Sequence, residues 1–130
     1  MSNISVVLTI YGNDGDLDAQ LNSLCKQVLK PDEVIIINSL YHHDIDSVLK
    51  IYADKLNINY YFSEQRLFPG ASRNLGVKMA KYDFIAFLDS KTIPDVIWLS
   101  KSLKTLLESE AHIIFGRTQY IYTNYFEKIF

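Results

Sequence analysis

The most constraining feature of the sequence is its alternation of short, wholly apolar runs with segments of helical period. The runs Ile4–Ile10 and 34–37 are continuous and rich in β-branched residues, which is typical of strands covered on both faces. Between them, apolar residues recur at the spacing of a single helix face. These residues are Leu17, Leu21, Leu24, Cys25 and Val28. Short connections between such elements predict a mostly parallel sheet with helices on both faces.

The same alternation continues to about residue 117. Further helices are predicted from Ile45 to Leu56, from Ala71 to Ala80, and from Pro94, where proline and the following Asp95 suit a first helical turn. Further strands are predicted at 58–62 and 82–88, with a fifth strand at 112–115. The expected fold is therefore an α/β domain over residues 1–117, cut off after its fifth strand, followed by an aromatic tail at 118–130.

Composition restricts the classes of protein that the chain can belong to. Its 130 residues, 48% of them hydrophobic, suffice for one core. The net charge of -2, with basic residues scattered singly, excludes a nucleic-acid partner, and the single Cys25 excludes a disulfide framework. No basic region precedes the first apolar run, and none reaches the roughly 18 residues of a membrane span. We therefore expect a cytoplasmic protein, at most peripheral to the inner face of the membrane.

Parallel sheets bind ligands beyond the carboxyl ends of their strands, which directs attention to the loops 11–16, 38–44, 63–70 and 89–92. The first of these loops lacks the G-x-G-x-x-G spacing of dinucleotide-binding folds, and the sequence contains no phosphate-binding P-loop. The run His42-His43-Asp44 has the composition of a metal site. Because adjacent histidines in an extended loop are expected to point apart, we predict no metal ligands there.

Three segments of the sequence resemble a known family. The first strand ends in Thr9-Ile10-Tyr11-Gly12, and a leucine-rich helix then leads through Pro31 and an acidic residue into the second strand. The segment "PGASRNLGVKMAKYDFIAFLDSKTIPDVIWL" combines Arg-Asn-x-Gly, a helix, a strand, an acidic cluster, and then proline and tryptophan. Over residues 4 to about 117 the chain resembles the family 2 inverting glycosyltransferases of GT-A fold. The resemblance implies binding of a nucleotide sugar, with a UDP sugar favoured, and a divalent metal, Mn²⁺ or Mg²⁺.

The resemblance also implies roles for individual residues. Asn38 and Ser39 stand where the family commonly has two acids that bind uracil and its ribose, and the Asn38 amide can still offer a donor and an acceptor to a pyrimidine. Arg73 matches an arginine near the nucleotide. The positions expected to contact the nucleotide sugar are Thr9, Ile10, Tyr11, Asn38, Ser39, Arg73, Asp89, Ser90 and Lys91.

The acidic cluster departs from the family pattern. In the family, the last aspartate of a D-x-D triplet holds the metal and the first tends to bind ribose, whereas here the triplet is Asp89-Ser90-Lys91. The degenerate triplet puts the metal in doubt, and we assign it no ligand. Two interpretations stay open: the Lys91 ammonium replaces the metal against the diphosphate, or the cluster has lost its function and Lys91 is a solvated loop residue.

The end of the sequence bears on activity. In the family, the carboxylate that acts as general base lies downstream of the fifth strand, and Glu127 is a poor match for it. We therefore predict a donor domain for glycan or polysaccharide synthesis that is inactive alone, the alternative being a non-catalytic nucleotide-sugar-binding or assembly module. The aromatic tail either packs back on the core, forms a homo-oligomer, contacts a membrane surface or begins the acceptor region.

Overall fold

The structure, a computed structural model, describes residues 2–120. Strands and helices alternate strictly along this part of the chain, as the sequence predicts. No helix within it combines the length and the apolar character that crossing a bilayer requires. In chain order the elements are β1 (Ile4–Ile10), α1 (Leu17–Cys25), β2 (Glu33–Asn38), α2 (His43–Tyr52), β3 (Ile58–Phe62), α3 (Pro69–Met79), β4 (Phe84–Asp89) and α4 (Trp98–Glu108).

The four strands form one parallel sheet in the order β3-β2-β1-β4. β1 lies between β2 and β4, and Val6 is paired with Val34 on one side and Ala86 on the other. β2 is buried along its whole length, and β1 is buried at every position except Thr9. The prediction of strands covered on both faces is confirmed for this central pair.

Alternate residues of the central strands pack against helices on opposite faces. Val6, Leu8 and Ile36 belong to the larger core, together with residues of α1, α2 and α4. Val7, Ile35 and Ile37 point to the other face, where Leu67, Leu75 and Met79 of α3 and its preceding loop cover them. This period of two confirms the prediction of helices on both faces.

A buried polar network holds together the amino ends of the strands. Glu33, 2% exposed, accepts hydrogen bonds from Ser5 Oγ and from the Lys81 backbone N–H, both at 2.6 Å. The Tyr82 N–H donates to Ser5 Oγ at 3.3 Å. These bonds connect the starts of β1 and β2 to the segment that enters β4. They also satisfy the Glu33 carboxylate, whose burial without hydrogen-bond donors would be energetically costly.

The predicted fifth strand is wrong for the described residues. Residues 112–115 have no regular secondary structure, and the side chains of Ile113 and Phe115 are 72% and 93% exposed. A strand requires a paired neighbour and a covered face, and the four apolar-rich residues at 112–115 find neither in this part of the chain. Within residues 2–120, β4 is therefore an edge strand, as β3 is on the other side, and its Phe87 is 46% exposed.

The start of α4 and the end of α1 also differ from the prediction. The helix begins at Trp98 and not at Pro94, because Gln27 binds the intervening segment in a non-helical form. Gln27 Nε2 donates to the Asp95 carbonyl at 2.6 Å, and the Leu99 N–H donates to Gln27 Oε1 at 3.1 Å. Val28, predicted on the apolar face of α1, lies beyond the end of that helix and is 69% exposed.

Close packing of α3 on the sheet depends on Gly76. A β-carbon at this buried position would overlap Cγ1 of Val7, which is fully buried in β1. We predict that Gly76→Ala lowers the free energy of unfolding by about 1–3 kcal/mol, because overpacking outweighs the better helix propensity of alanine. Urea unfolding followed by circular dichroism measures this change.

Gly70, in the first turn of the same helix, is the matched control, since a β-carbon there meets no atom within 4 Å. Gly70→Ala should leave the stability unchanged or raise it by up to about 1 kcal/mol. Equal losses in both variants would show that contact with Val7 does not limit residue 76.

The Tyr52 hydroxyl joins α2 to α1. It donates to Asp18 Oδ1 at 2.7 Å, and burial followed by this hydrogen bond raises the pKa of Tyr52 to about 12 from its ordinary value of 10.0. As the pH rises from 10 to 12, the unfolded chain loses the Tyr52 proton while the folded chain keeps it. The free energy of unfolding should therefore fall over this range.

We predict that Tyr52→Phe removes this part of the alkaline loss of stability, as measured by urea unfolding at a series of pH values. Tyr61→Phe, at the more exposed Tyr61 of β3, serves as the control and should lose stability at alkaline pH as the unmodified chain does. An unchanged pH dependence in Tyr52→Phe would contradict the assignment.

Candidate functional site

A cleft of about 370 Å³ lies over the carboxyl ends of β1 and β4, between them and the start of α3. Parallel sheets bind ligands at this edge, so the cleft is the candidate site. The structure brings six of the nine predicted site residues together in its lining, with Asp14, Arg66 and Phe68 among the others. The six are Thr9, Ile10, Tyr11, Arg73, Asp89 and Ser90.

The pairing of β1 with β4 determines where the acidic residue lies. Thr9 is the register partner of Asp89, so both reach the same edge of the sheet. The turn after Asp89 is held by Gln20, a fully buried residue of α1 whose Nε2 donates to the carbonyls of Asp89 and Thr92 at 2.6 and 2.9 Å. Gln20 was not predicted from the sequence. The only sequence feature that could have indicated it is a polar residue next to the apolar stripe of a helix.

The carboxylate of Asp89 is already paired. Its Oδ1 accepts a hydrogen bond from Arg73 Nη2 at 2.7 Å, in an ion pair whose side chains are 38% and 65% exposed for Arg73 and Asp89. Arg73 extends from the first half of α3 and thereby links that helix to the end of β4. One acid and one base of the cleft therefore neutralise each other.

The second acid of the cleft, Asp14, is also engaged. Its Oδ2 accepts from Ser90 Oγ at 3.2 Å, and its Oδ1 accepts from the Tyr11 N–H at 3.3 Å. The loop 11–16 lies directly on the turn 89–92 here, because a β-carbon at Gly15 would overlap the carbonyl oxygen of Ser90. Glycine at position 15 is what allows this approach of two backbones.

Lys91 is exposed and does not line the cleft. Of the triplet, only Asp89 carries a carboxylate, and that group is bound to Arg73. Divalent cations such as Mg²⁺ require oxygen ligands that are free to coordinate, and a lysine ammonium repels them. With one carboxylate and one ammonium, the triplet is a poor set of donors for a divalent metal.

The side-chain amide of Asn38 forms its hydrogen bonds within the protein. Its Nδ2 donates to the Leu40 carbonyl at 2.8 Å and to the Tyr60 hydroxyl at 3.0 Å. Its Oδ1 accepts from the N–H groups of Gly12 at 2.8 Å and Leu40 at 3.1 Å. Four bonds use the full capacity of the amide, and Asn38 is completely buried. The contacts of Asn38 thus give no support to direct binding of a base.

Ser39 is likewise outside the lining of the cleft. Its Oγ accepts from the Leu67 N–H at 2.9 Å and so attaches the loop 63–68 to the end of β2. Asn38 thus holds Gly12, which follows Tyr11, and Ser39 holds Leu67. Gly12, held by Asn38, has a φ of 60°, a left-handed conformation in which glycine is unstrained.

Arg66 is a residue of the cleft that the sequence reading missed. Its guanidinium carbon lies 4.6 Å from the centre of the Tyr11 ring and 4.8 Å from that of Phe68. Both distances are typical of cation–π contacts. Arg66 lies just before the third segment that resembles the family, which begins at Pro69, so only its position in a loop at a strand end could have indicated it.

The prediction that the histidine rings point apart is wrong. The rings of His42 and His43 stack with centres 4.6 Å apart, and His43 Nε2 lies 3.0 Å from Asp44 Oδ1. His42 Nδ1 accepts from the Asp44 N–H at 3.3 Å as the N-cap of α2. The three side chains could offer ligand atoms within 4.8 Å of one another, but they lie outside the lining of the cleft.

The parallel sheet, the helices on both of its faces and the cleft over its carboxyl edge define an α/β domain with a candidate ligand site at the end of its sheet. Staphylococcus aureus TarS has a similar fold: its residues 1–349, solved in complex with UDP, superpose with a TM-score of 0.72 and 26% identity, over 82% of this chain and 32% of that one. The fold is GT-A. Residues 5–129 match the family model described as Glycosyl transferase family 2, so the chain belongs to that family.

Relatives in this family are much longer. A hyaluronan synthase from Pasteurella multocida is 31% identical over 126 residues, which are 95% of this chain and 13% of the relative. A chondroitin synthase from Escherichia coli is 28% identical, over 93% of this chain and 18% of its own length. A mannosyltransferase from Pyrobaculum calidifontis in complex with GDP-Man and Mn²⁺, at 17% identity and a TM-score of 0.67, shares the fold.

The amide of Asn38 is predicted to be structurally essential. Asn38→Asp introduces an acid at this position. The substitution replaces the Asn38 Nδ2 donor by a carboxylate oxygen that faces the Leu40 carbonyl. The free energy of unfolding should fall by about 1–3 kcal/mol at pH 7, measured in urea, because a buried acceptor loses its partner.

Asn59→Asp is the control, since Asn59 is an exposed residue of the neighbouring strand β3. This variant should change the stability by less than about 0.5 kcal/mol. A stable Asn38→Asp variant that binds UDP more tightly would instead support the contact with a base inferred from the resemblance.

Proposed function

We propose that this chain binds a nucleoside diphosphate sugar, with a UDP sugar favoured, as the donor domain of a glycosyltransferase that builds a glycan or polysaccharide. The observation that carries the proposal is the cleft itself. It combines the aromatic ring of Tyr11 with the Arg73–Asp89 pair at the edge where parallel sheets bind ligands. An aromatic face suits a base, and a polar acidic group beside it suits a ribose.

Relatives support the substrate class. TarS has been solved with UDP and with UDP-GlcNAc, at 26% and 25% identity to this chain. A related Escherichia coli galactosyltransferase, 33% identical over 92 residues, uses UDP-Gal by its name. The relatives named hyaluronan and chondroitin synthase make polysaccharides by their names, and we extend that class of product to the protein of which this domain is part.

The proposal includes binding without a divalent metal at the triplet. Asp89 Oδ1 accepts from Arg73, Ser90 Oγ donates to Asp14, and Lys91 is a cation outside the cleft. Mn²⁺ should therefore add little to the affinity for a nucleotide. Lys91→Asp would supply a second acid and should make the affinity depend on the metal.

We also propose that this domain does not transfer sugar by itself. Inversion requires a carboxylate within hydrogen-bond reach of the acceptor hydroxyl and free to take its proton. Both carboxylates that line the described cleft already accept hydrogen bonds from within the protein, Asp14 from Ser90 and Asp89 from Arg73. The same observation favours the second candidate function, a non-catalytic nucleotide-sugar-binding or assembly module.

Titration with UDP, with and without Mn²⁺, tests the proposal. We expect UDP to bind more tightly than ADP or GDP, and Mn²⁺ to change the dissociation constant by less than about threefold. In Lys91→Asp, Mn²⁺ should strengthen UDP binding by about tenfold or more, as expected for a restored carboxylate ligand. Lys104→Asp, the same change at an exposed lysine of α4, is the control and should behave as the unmodified chain does.

Three outcomes would contradict parts of the proposal. Absence of UDP binding would contradict the proposed nucleotide site. Strong enhancement of UDP binding by Mn²⁺ in the unmodified chain would contradict binding without a metal. Transfer from a panel of UDP sugars to simple acceptors would show that the domain is active alone and would exclude the non-catalytic module.

A further inference from the structure

Two arginines line the cleft, and they differ in how their charges are balanced. Arg73 forms an ion pair with Asp89 at 2.7 Å. Arg66 forms no ion pair with any carboxylate of residues 2–120 and donates no hydrogen bond to another residue in that part of the chain. Its partners are the rings of Tyr11 and Phe68. Of the two arginines, Arg66 therefore carries the uncompensated charge.

The two aromatic contacts orient the guanidinium and leave its charge intact. Aromatic faces attract a cation through their quadrupole and do not accept a proton from it or neutralise it. Rings at 4.6 and 4.8 Å from the guanidinium carbon restrict where the group can move, while its five N–H donors have no partner in the described part of the chain. A guanidinium held in this way is preorganised to bind an anion.

The surroundings of Arg66 also favour an anion. The next helix, α3, begins at Pro69 beside the cleft, and no side chain caps its N-terminus. The open space around Gly70 leaves that helix end accessible. The positive end of an 11-residue helix and a free guanidinium thus lie on the same side of the cleft.

We infer that Arg66 binds the diphosphate of the nucleotide sugar and supplies the positive charge that the degenerate triplet does not hold through a metal. The inference rests on the proposed function. A planar guanidinium binds two phosphate oxygens at once, which matches a diphosphate better than an uncharged base. Lys91, the cation considered from the sequence, lies outside the lining of the cleft, whereas Arg66 is part of it.

The inference separates the diphosphate from the nucleoside, and the experiment does the same. The ligands are UDP, inorganic pyrophosphate and uridine, titrated into the unmodified chain and into Arg66→Gln by nuclear magnetic resonance, which also measures weak binding. Arg66→Gln should weaken the binding of UDP and pyrophosphate by about tenfold or more, because a charge-assisted bidentate contact is lost. Its affinity for uridine should stay within about twofold of the original, since an uncharged ligand makes no such contact.

Two further variants complete the design. Arg66→Lys keeps the charge but loses the planar, bidentate geometry, so its affinity for UDP should lie between those of the other two forms. Arg117→Gln makes the same substitution at an exposed arginine outside this cleft and should bind UDP as the unmodified chain does. Because Arg66 is exposed, the circular dichroism and unfolding midpoint of its variants should remain unchanged.

The possible results distinguish the inference from the function on which it rests. If the unmodified chain binds UDP and Arg66→Gln binds it equally well, the inference is wrong and the proposed function stands. If Arg66→Gln weakens uridine as much as UDP, Arg66 contacts the base and the inference is again wrong. If the unmodified chain binds neither UDP nor pyrophosphate, both are wrong.

Discussion

The parallel pairing of β1 with β2 on one side and β4 on the other determines the arrangement of this domain. A strand with neighbours on both edges and apolar residues on both faces is stable only when helices cover each face, and α1 and α3 do so from opposite sides. The same pairing brings the carboxyl ends of three strands to one edge. The cleft exists at that edge because Thr9 is in register with Asp89 and Ile10 with Asn38.

Much of the fold follows from local patterns in the sequence. Continuous apolar runs and a helical period of apolar residues suffice for the four strands, the four helices and the loops that gather at the ligand-binding edge. The boundary of α4 does not follow from local patterns, because it depends on Gln27, which bonds to residues about seventy positions further along the chain. The prediction of a fifth strand at 112–115 is wrong for a related reason, since a local pattern cannot supply the neighbouring strand that a strand needs.

The candidate site is predictable in outline and not in detail. Position along the chain selects the carboxyl ends of the strands and the segments that follow them, and six of the nine predicted site residues reach the cleft. Whether a polar side chain faces the cleft or supports it depends on partners distant in sequence. Asn38 is the clearest case: Gly12 and Tyr60, 26 and 22 positions away, bind its amide within the protein. Arg66 is the converse case, because its importance depends on its distance from Tyr11, which no local motif records.

The contact between Gly15 and the Ser90 carbonyl has a consequence for the two segments that it joins. Position 15 is closed to every side chain while the turn after β4 keeps its place, since even a β-carbon would overlap the carbonyl oxygen. The loop after β1 and the turn 89–92 therefore constrain each other: a substitution that moves one backbone is tolerated only if the other backbone moves with it. A longer turn after β4 would therefore require a matching change in the loop after β1.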